Sequence, residues 1–146
     1  ANAVFVLRGE KDIPVGAELR GTTPQSWRGM APGSKKDLGF FSIPSVPFPF
    51  PRDDTMEDAI VLCESAIDAI SCRVLHPQLW CVSTAGARPN PRWLGPLLEQ
   101  GHTVYCGFDT DTTGEAMANA MLALYPAVQR LTPSDHDWND VLRSRR

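Results

Sequence analysis

The chain has 146 residues, 42% of them hydrophobic, enough for one packed domain or a domain with a small appendage. A formal net charge of −3 argues against a dedicated nucleic-acid coat, whose footprint is strongly basic. No apolar run approaches the ~20 residues of a membrane-spanning helix, and the N-terminus lacks a basic-then-apolar signal pattern, so no membrane partner is expected. Because the first residue is not Met, the chain reads as a piece of a longer parent with further domains.

Residues 1–43 alternate between polar and apolar. Ala3–Leu7, Pro14–Arg20 and Gly39–Ile43 read as strands joined by short turns, a pattern of antiparallel hairpins. Pro44–Pro51 holds four prolines in eight residues and reads as a connector. The boundary is placed near Arg52–Thr55, giving a small β-rich segment over 1–52 and a main domain over 53–146.

From Ala59 the rhythm becomes strand, helix, strand, helix. Ile60–Cys63 is a continuous apolar run, as in a strand covered on both faces. Ile67, Ile70 and Val74 fall at helical spacing. Leu79–Val82 is the next strand. Asn90-Pro91 is placed to cap a helix through Leu97–Gln100 that stops at Gly101, with Gly95-Pro96 either distorting that helix or delaying its start. Thr103–Phe108 is a third strand, and Thr112-x-x-Glu115 reads as a capping box opening a long helix. Ala127–Leu131 makes a fourth strand, and Trp138–Leu142 a short last helix. Such alternation predicts an α/β fold with a parallel sheet flanked by helices.

Cys63, Cys72, Cys81 and Cys106 form no CxxC pair, which speaks against zinc. Free thiols in the core fit a reducing cytoplasm.

In open parallel sheets, ligands bind beyond the carboxyl ends of the strands. The first strand of the main domain ends in Glu64, and the third in Asp109-Thr110-Asp111. On neighbouring strands these carboxylates share one rim, where their repulsion is relieved by a divalent cation. An all-oxygen donor set suits Mg²⁺ or Mn²⁺. The competing reading of Asp109-x-Asp111 is a helix cap. Asp68 reads equally as part of a Ser65-x-x-Asp68 capping box or as support for the ligands. Asp137 and Asp140 are placed to reach the same rim, with Asp135 or Asp137 as a helix cap the alternative.

Leu62-Cys63-Glu64-Ser65-Ala66-Ile67-Asp68 and Gly107-Phe108-Asp109-Thr110-Asp111-Thr112-Thr113-Gly114 together resemble the paired motifs of Toprim domains. Ser65 stands where many members have Gly. Ser83-Thr84-Ala85-Gly86, Asn90-Pro91 and Asp135–Asp140 resemble the primase-like branch carried by plasmids and other mobile elements. Residues 1–43 resemble the end of the small domain of unknown function that precedes it. The resemblance implies a Rossmann-like sheet and a Mg²⁺-dependent (or Mn²⁺-dependent) nucleotidyltransferase. Glu64 would be general acid/base and metal ligand, with Asp109 and Asp111 as the main ligands. The implied partners are nucleic acid, single-stranded DNA above all, and nucleoside triphosphates.

Two alternatives stand beside it: an OLD-like metal-dependent nuclease, and a non-catalytic nucleic-acid-binding module. A receiver-type phosphoacceptor is disfavoured because no Lys follows Lys36. Tyr105 and Tyr125 read as packing residues and not as topoisomerase nucleophiles. For phosphate contact, Arg88 and Arg92 sit in a loop expected near the rim. Arg20, Arg28, Lys35 and Lys36 form an N-terminal cluster that reads first as a solvated face. Trp27 reads as a base-stacking or packing residue, and Arg143, Arg145 and Arg146 as a tail.

Overall fold

A computed structural model describes residues 1–24, 27–44 and 59–145. The connector from residue 45 on and the expected boundary at Arg52–Thr55 lie outside the described residues. In chain order the elements are β1 (Asn2–Gly9), β2 (Pro14–Gly21), β3 (Arg28–Met30), β4 (Gly39–Ile43), β5 (Ala59–Cys63), α1 (Ala66–Leu75), β6 (Trp80–Ser83), α2 (Leu94–Glu99), β7 (Thr103–Cys106), α3 (Thr112–Leu124), β8 (Gln129–Arg130) and α4 (Trp138–Arg143). Among the described residues no helix is long and apolar enough to cross a membrane.

The strands form one mixed sheet in the order β3-β2-β1-β4-β6-β5-β7-β8. β6, β5, β7 and β8 are parallel, and β4 joins antiparallel to β6. The N-terminal hairpin is therefore continuous with the α/β sheet. Its junction runs through Gly9 and Gly39, which face each other where β1 meets β4. A Cβ on Gly39 would lie 2.3 Å from the Arg8 carbonyl oxygen, so only glycine allows this approach.

The apolar run of β5 is buried on both sides because the sheet is covered on both. Ile60 and Leu62 point to one layer with Trp93, Leu94, Leu97, Ala118 and Met121 from the α2 and α3 side. Val61 and Cys63 point to the other, with Ala69, Cys72 and Trp138 from α1 and α4. All four cysteines are free and buried, as expected. Burial pushes the Cys63 and Cys106 thiols up to about 11.

Several expectations are corrected. β3 was not foreseen: three residues with one glycine carry no alternation to detect. β7 ends at Cys106, since Gly107 and Phe108 have left the ladder. β8 shrinks to two edge residues. α2 begins only at Leu94, after a loop. Thr112-x-x-Glu115 is not the capping box: Asp111 is the N-cap of α3, its side chain accepting from Gly114 N at 2.7 Å. Glu115 instead pairs with Arg130 at 2.7 Å.

Candidate active-site cleft

The chain order reverses at β5, with β6 on one side and β7 on the other, and that crevice is where ligands collect in open α/β sheets. Glu64 leaves β5 and Asp109 follows β7 three residues on, so adjacent strands bring them together. The Asp109 amide donates to Glu64 Oε1 at 3.0 Å. Gly114 closes the arrangement from the first turn of α3: a Cβ there would lie 2.2 Å from the Asp109 carbonyl oxygen and 2.8 Å from Glu64 Oε1.

Asp109 is only 8% exposed, and its Oδ1 has no hydrogen-bond partner. Burial pushes its carboxyl up to about 8, with repulsion from Glu64, Asp68 and Asp137 adding to the effect. Burial also raises Glu64, and Asp111 and Asp68 contribute. Asp111 goes the other way: the Gly114 amide and then His136 hold its carboxyl below the usual range. A rim whose buried carboxylates strain against ionisation, with one oxygen unpaired, is chemically matched to a divalent cation.

Asp68 is raised by burial but is also structurally engaged. Its Oδ2 accepts from Ser65 Oγ at 2.8 Å and its Oδ1 from Asn139 N at 3.2 Å. Ser65 caps α1 through Asp68 N, so the capping expectation holds for this pair. Asp137 caps α4 by accepting from Asp140 N at 2.7 Å. His136 lies between these acids, Nε2 3.2 Å from Asp111 Oδ2 and Nδ1 3.3 Å from Asp137 Oδ2. Its pKa is raised, chiefly by the Asp111 contact.

The cleft, about 490 Å³, is lined by Glu64, Asp68, Asp109, Asp111, His136 and Asp137, and on its hairpin side by Glu18, Arg20 and Arg28. Arg20 and Arg28 are directly opposed in the β2–β3 ladder. Glu18 reaches from β2 into the α/β part: Oε1 accepts from Ala66 N at 3.1 Å and Oε2 from Ser83 Oγ at 2.6 Å. Burial raises its carboxyl.

The cations named from sequence are distributed differently. Arg88 donates to Asp37 at 2.8 Å and, through Nε, to the Thr84 carbonyl at 2.9 Å. Lys36 Nζ donates to the Ala85 carbonyl at 2.9 Å. Arg92 is 83% exposed and 4.0 Å from Asp37. None of these three, nor Lys35, is among the cleft-lining residues. Trp27 is exposed, its ring over Gly29. Tyr105 is half-buried in β7 and the Tyr125 hydroxyl donates to Asn90 Oδ1. Sequence reasoning missed Glu18 and His136 and undervalued Arg20 and Arg28. The signal for His136 was its place amid Asp135, Asp137 and Asp140; Glu18, Arg20 and Arg28 reach the cleft only through long-range strand pairing.

Residues 61–142 match the family model described as Toprim-like. A "65 kDa protein" of Zymomonas mobilis subsp. mobilis is 31% identical over 164 aligned residues, taking in 99% of this chain but 27% of that protein's length. The primase fragment of the bacteriophage T7 primase-helicase protein superposes with a TM-score of 0.69 at 14% identity, over 97% of this chain and 57% of that one. The DnaG catalytic core gives 0.68 at 15% identity, over 98% and 48%. At such identities the two structural matches speak to the fold.

Proposed function

The chain belongs to the Toprim-like family, and from that premise we propose that it performs metal-dependent nucleotidyl transfer on nucleic acid, as the Toprim unit of a primase-like protein. The observation that carries this reading is one cleft lined by acidic residues from the β5 and β7 ends and by Arg20 and Arg28 from the β2–β3 ladder. Carboxylates suit a metal, and paired arginines suit phosphate.

Glu64, Asp109 and Asp111 would hold Mg²⁺ or Mn²⁺. The unpaired, buried Oδ1 of Asp109 fits that role. Such an ion, when bound, neutralises charge on the phosphoryl oxygens and positions the attacking oxygen. Glu64 is the group that takes the proton from the attacking 3′-hydroxyl, since burial keeps its carboxyl more basic than a surface acid. The new bond forms between that oxygen and the α-phosphorus of a nucleoside triphosphate, and pyrophosphate leaves. Arg20 and Arg28 bind phosphate oxygens of the nucleic acid or the triphosphate. Strands β2 and β3 supply this phosphate-facing wall, and the residues that follow β5 and β7 the carboxylate wall. Asp68, Asp137 and Asp140 support the ligands, and Arg88, Arg92, Lys35 and Lys36 act outside the cleft, where Arg92 and Lys35 are exposed enough to meet a passing strand.

The test is extension of a primed single-stranded template by the chain with nucleoside triphosphates and Mg²⁺ or Mn²⁺. Incorporation that is lost in Asp109→Asn/Asp111→Asn supports the reading. Cleavage of DNA without nucleotides would replace it with an OLD-like nuclease. DNA binding unchanged by the double substitution, with no turnover, would leave a binding module.

A further inference from the structure

The cleft holds one nitrogen donor that an oxygen-only metal site does not use. We infer that the His136 imidazole is a ligand of the divalent ion and that it makes the site take Mn²⁺ in preference to Mg²⁺. The inference rests on the metal-centre reading above and adds a donor and a selectivity to it.

A carboxylate oxygen of Asp109, a ring nitrogen of His136 and a carboxylate oxygen of Asp137 all lie within 4.8 Å of one another. An ion held by Asp109 is about 2.1 Å from the imidazole nitrogen after small side-chain adjustments, with Asp137 beside it in support. The second observation is independent of the clustering: Asp109 is more than nine-tenths buried, and its Oδ1 has no hydrogen-bond partner. His136 has three carboxylates around it, with Nε2 at 3.2 Å from Asp111, and Nδ1 at 3.3 Å from Asp137 and 3.7 Å from Asp140, which places the imidazole inside the acidic cluster. Its backbone is tied to the Asp109–Asp111 loop, because Thr110 N donates to the His136 carbonyl at 2.9 Å. The imidazole is thus held at the rim by the same loop that carries the acids.

The selectivity follows from donor chemistry. Mg²⁺ is a hard ion that keeps to oxygen ligands and waters. Imidazole suits first-row transition ions, so one nitrogen in a carboxylate set shifts preference toward them. Mn²⁺ is the member of that series that also accepts a carboxylate-rich shell.

The experiment is pulsed electron paramagnetic resonance of Mn²⁺ added to the 146-residue chain, with Mg²⁺ as competitor. Wild type should show the ¹⁴N modulation of a directly bound imidazole. His136→Gln should abolish it and weaken Mn²⁺ binding by about tenfold or more, with little effect on Mg²⁺. His136 is exposed, so this variant keeps its fold, which circular dichroism verifies. The other two histidines do not compete: His102 is buried and His76 packs edge-on against Trp138. Bound Mn²⁺ without ¹⁴N modulation, or modulation that survives in His136→Gln, overturns His136 as a ligand and leaves the carboxylate centre standing. No Mn²⁺ binding, or equal binding by Asp109→Asn, overturns both.

Discussion

Gly114→Ala isolates the closeness on which the cleft depends. The added methyl would sit 2.2 Å from the Asp109 carbonyl oxygen and 2.8 Å from Glu64 Oε1. The first neighbour is backbone, so the clash is not relieved by turning a side chain. Either α3 lifts, or the Asp109 loop retreats from the end of β5. Overpacking of this kind costs about 1–3 kcal/mol. Lifting the helix also strains the Asp111 cap on Gly114 N, worth about 1 kcal/mol. Alanine's better helix propensity returns at most about 1 kcal/mol. The net is a loss of about 1–3 kcal/mol, or a Tm lower by about 3–10 °C for a chain of this size. Thr113→Ala is the control: it changes the neighbouring exposed position of the same turn and should move stability by less than about 0.5 kcal/mol. Thermal melts of both, read beside Mn²⁺ titrations, test the reasoning. Gly114→Ala should lose stability and metal affinity together. A Gly114→Ala protein as stable as Thr113→Ala, with unchanged Mn²⁺ affinity, would refute the claim that Glu64 and Asp109 are held by this contact.

Other outcomes follow from the same geometry. Asp109 has its carboxyl raised to about 8 by burial and by its acidic neighbours, so the protonated form is the one the fold prefers. Its contribution to stability is full below the ordinary carboxyl range and is lost as pH rises toward 8. Asp109→Asn should therefore melt higher than wild type at pH 8 in chelator and at the same temperature near pH 4, with Mn²⁺ closing the gap at pH 8. Glu18→Ala removes the acceptor for Ala66 N and Ser83 Oγ and should cost about 1–3 kcal/mol by denaturant midpoint, with Glu18→Gln losing less. Arg20→Ala and Arg28→Ala should each weaken binding to single-stranded DNA and lower the salt dependence by about one phosphate contact. Arg88→Ala, whose guanidinium holds Asp37 and Thr84, should lower stability and leave that salt dependence unchanged; the reverse pattern would move the phosphate path to the β6–α2 loop.

The carboxylate rim was legible because it depends on short-range facts. Ile60–Cys63 is apolar at every position and so must be covered on both faces. Such a strand ends where its polar residue begins, at Glu64. Asp109 and Asp111 follow another such run, and Asp111 announces a helix whose first turn needs Gly114. The capping-box reading of Thr112 and Glu115 fails because Asp111, one residue earlier, has the stronger acceptor, and the helix-cap reading of Asp109-x-Asp111 holds for Asp111. The β-rich beginning was legible as strands but not as part of the same sheet. That union runs through β4 against β6 and through the Gly9–Gly39 approach, pairings that no local pattern encodes.

The opposing wall was hidden for a related reason. Arg20 and Arg28 are eight positions apart in sequence, yet the ladder sets them directly opposite each other. Like charges so placed disfavour the pairing, and the pull of Asp68 on Arg20 offsets it only in part. Local rules fail in this way mainly where function takes precedence. A phosphate between the two guanidiniums removes the conflict, as a cation among Glu64, Asp109 and Asp111 removes the other. The two repulsions have opposite sign and line the same cleft. A metal-bound phosphate ester answers both at once, and this is the ground on which we propose transfer on a nucleic-acid backbone over metal binding or anion binding taken singly.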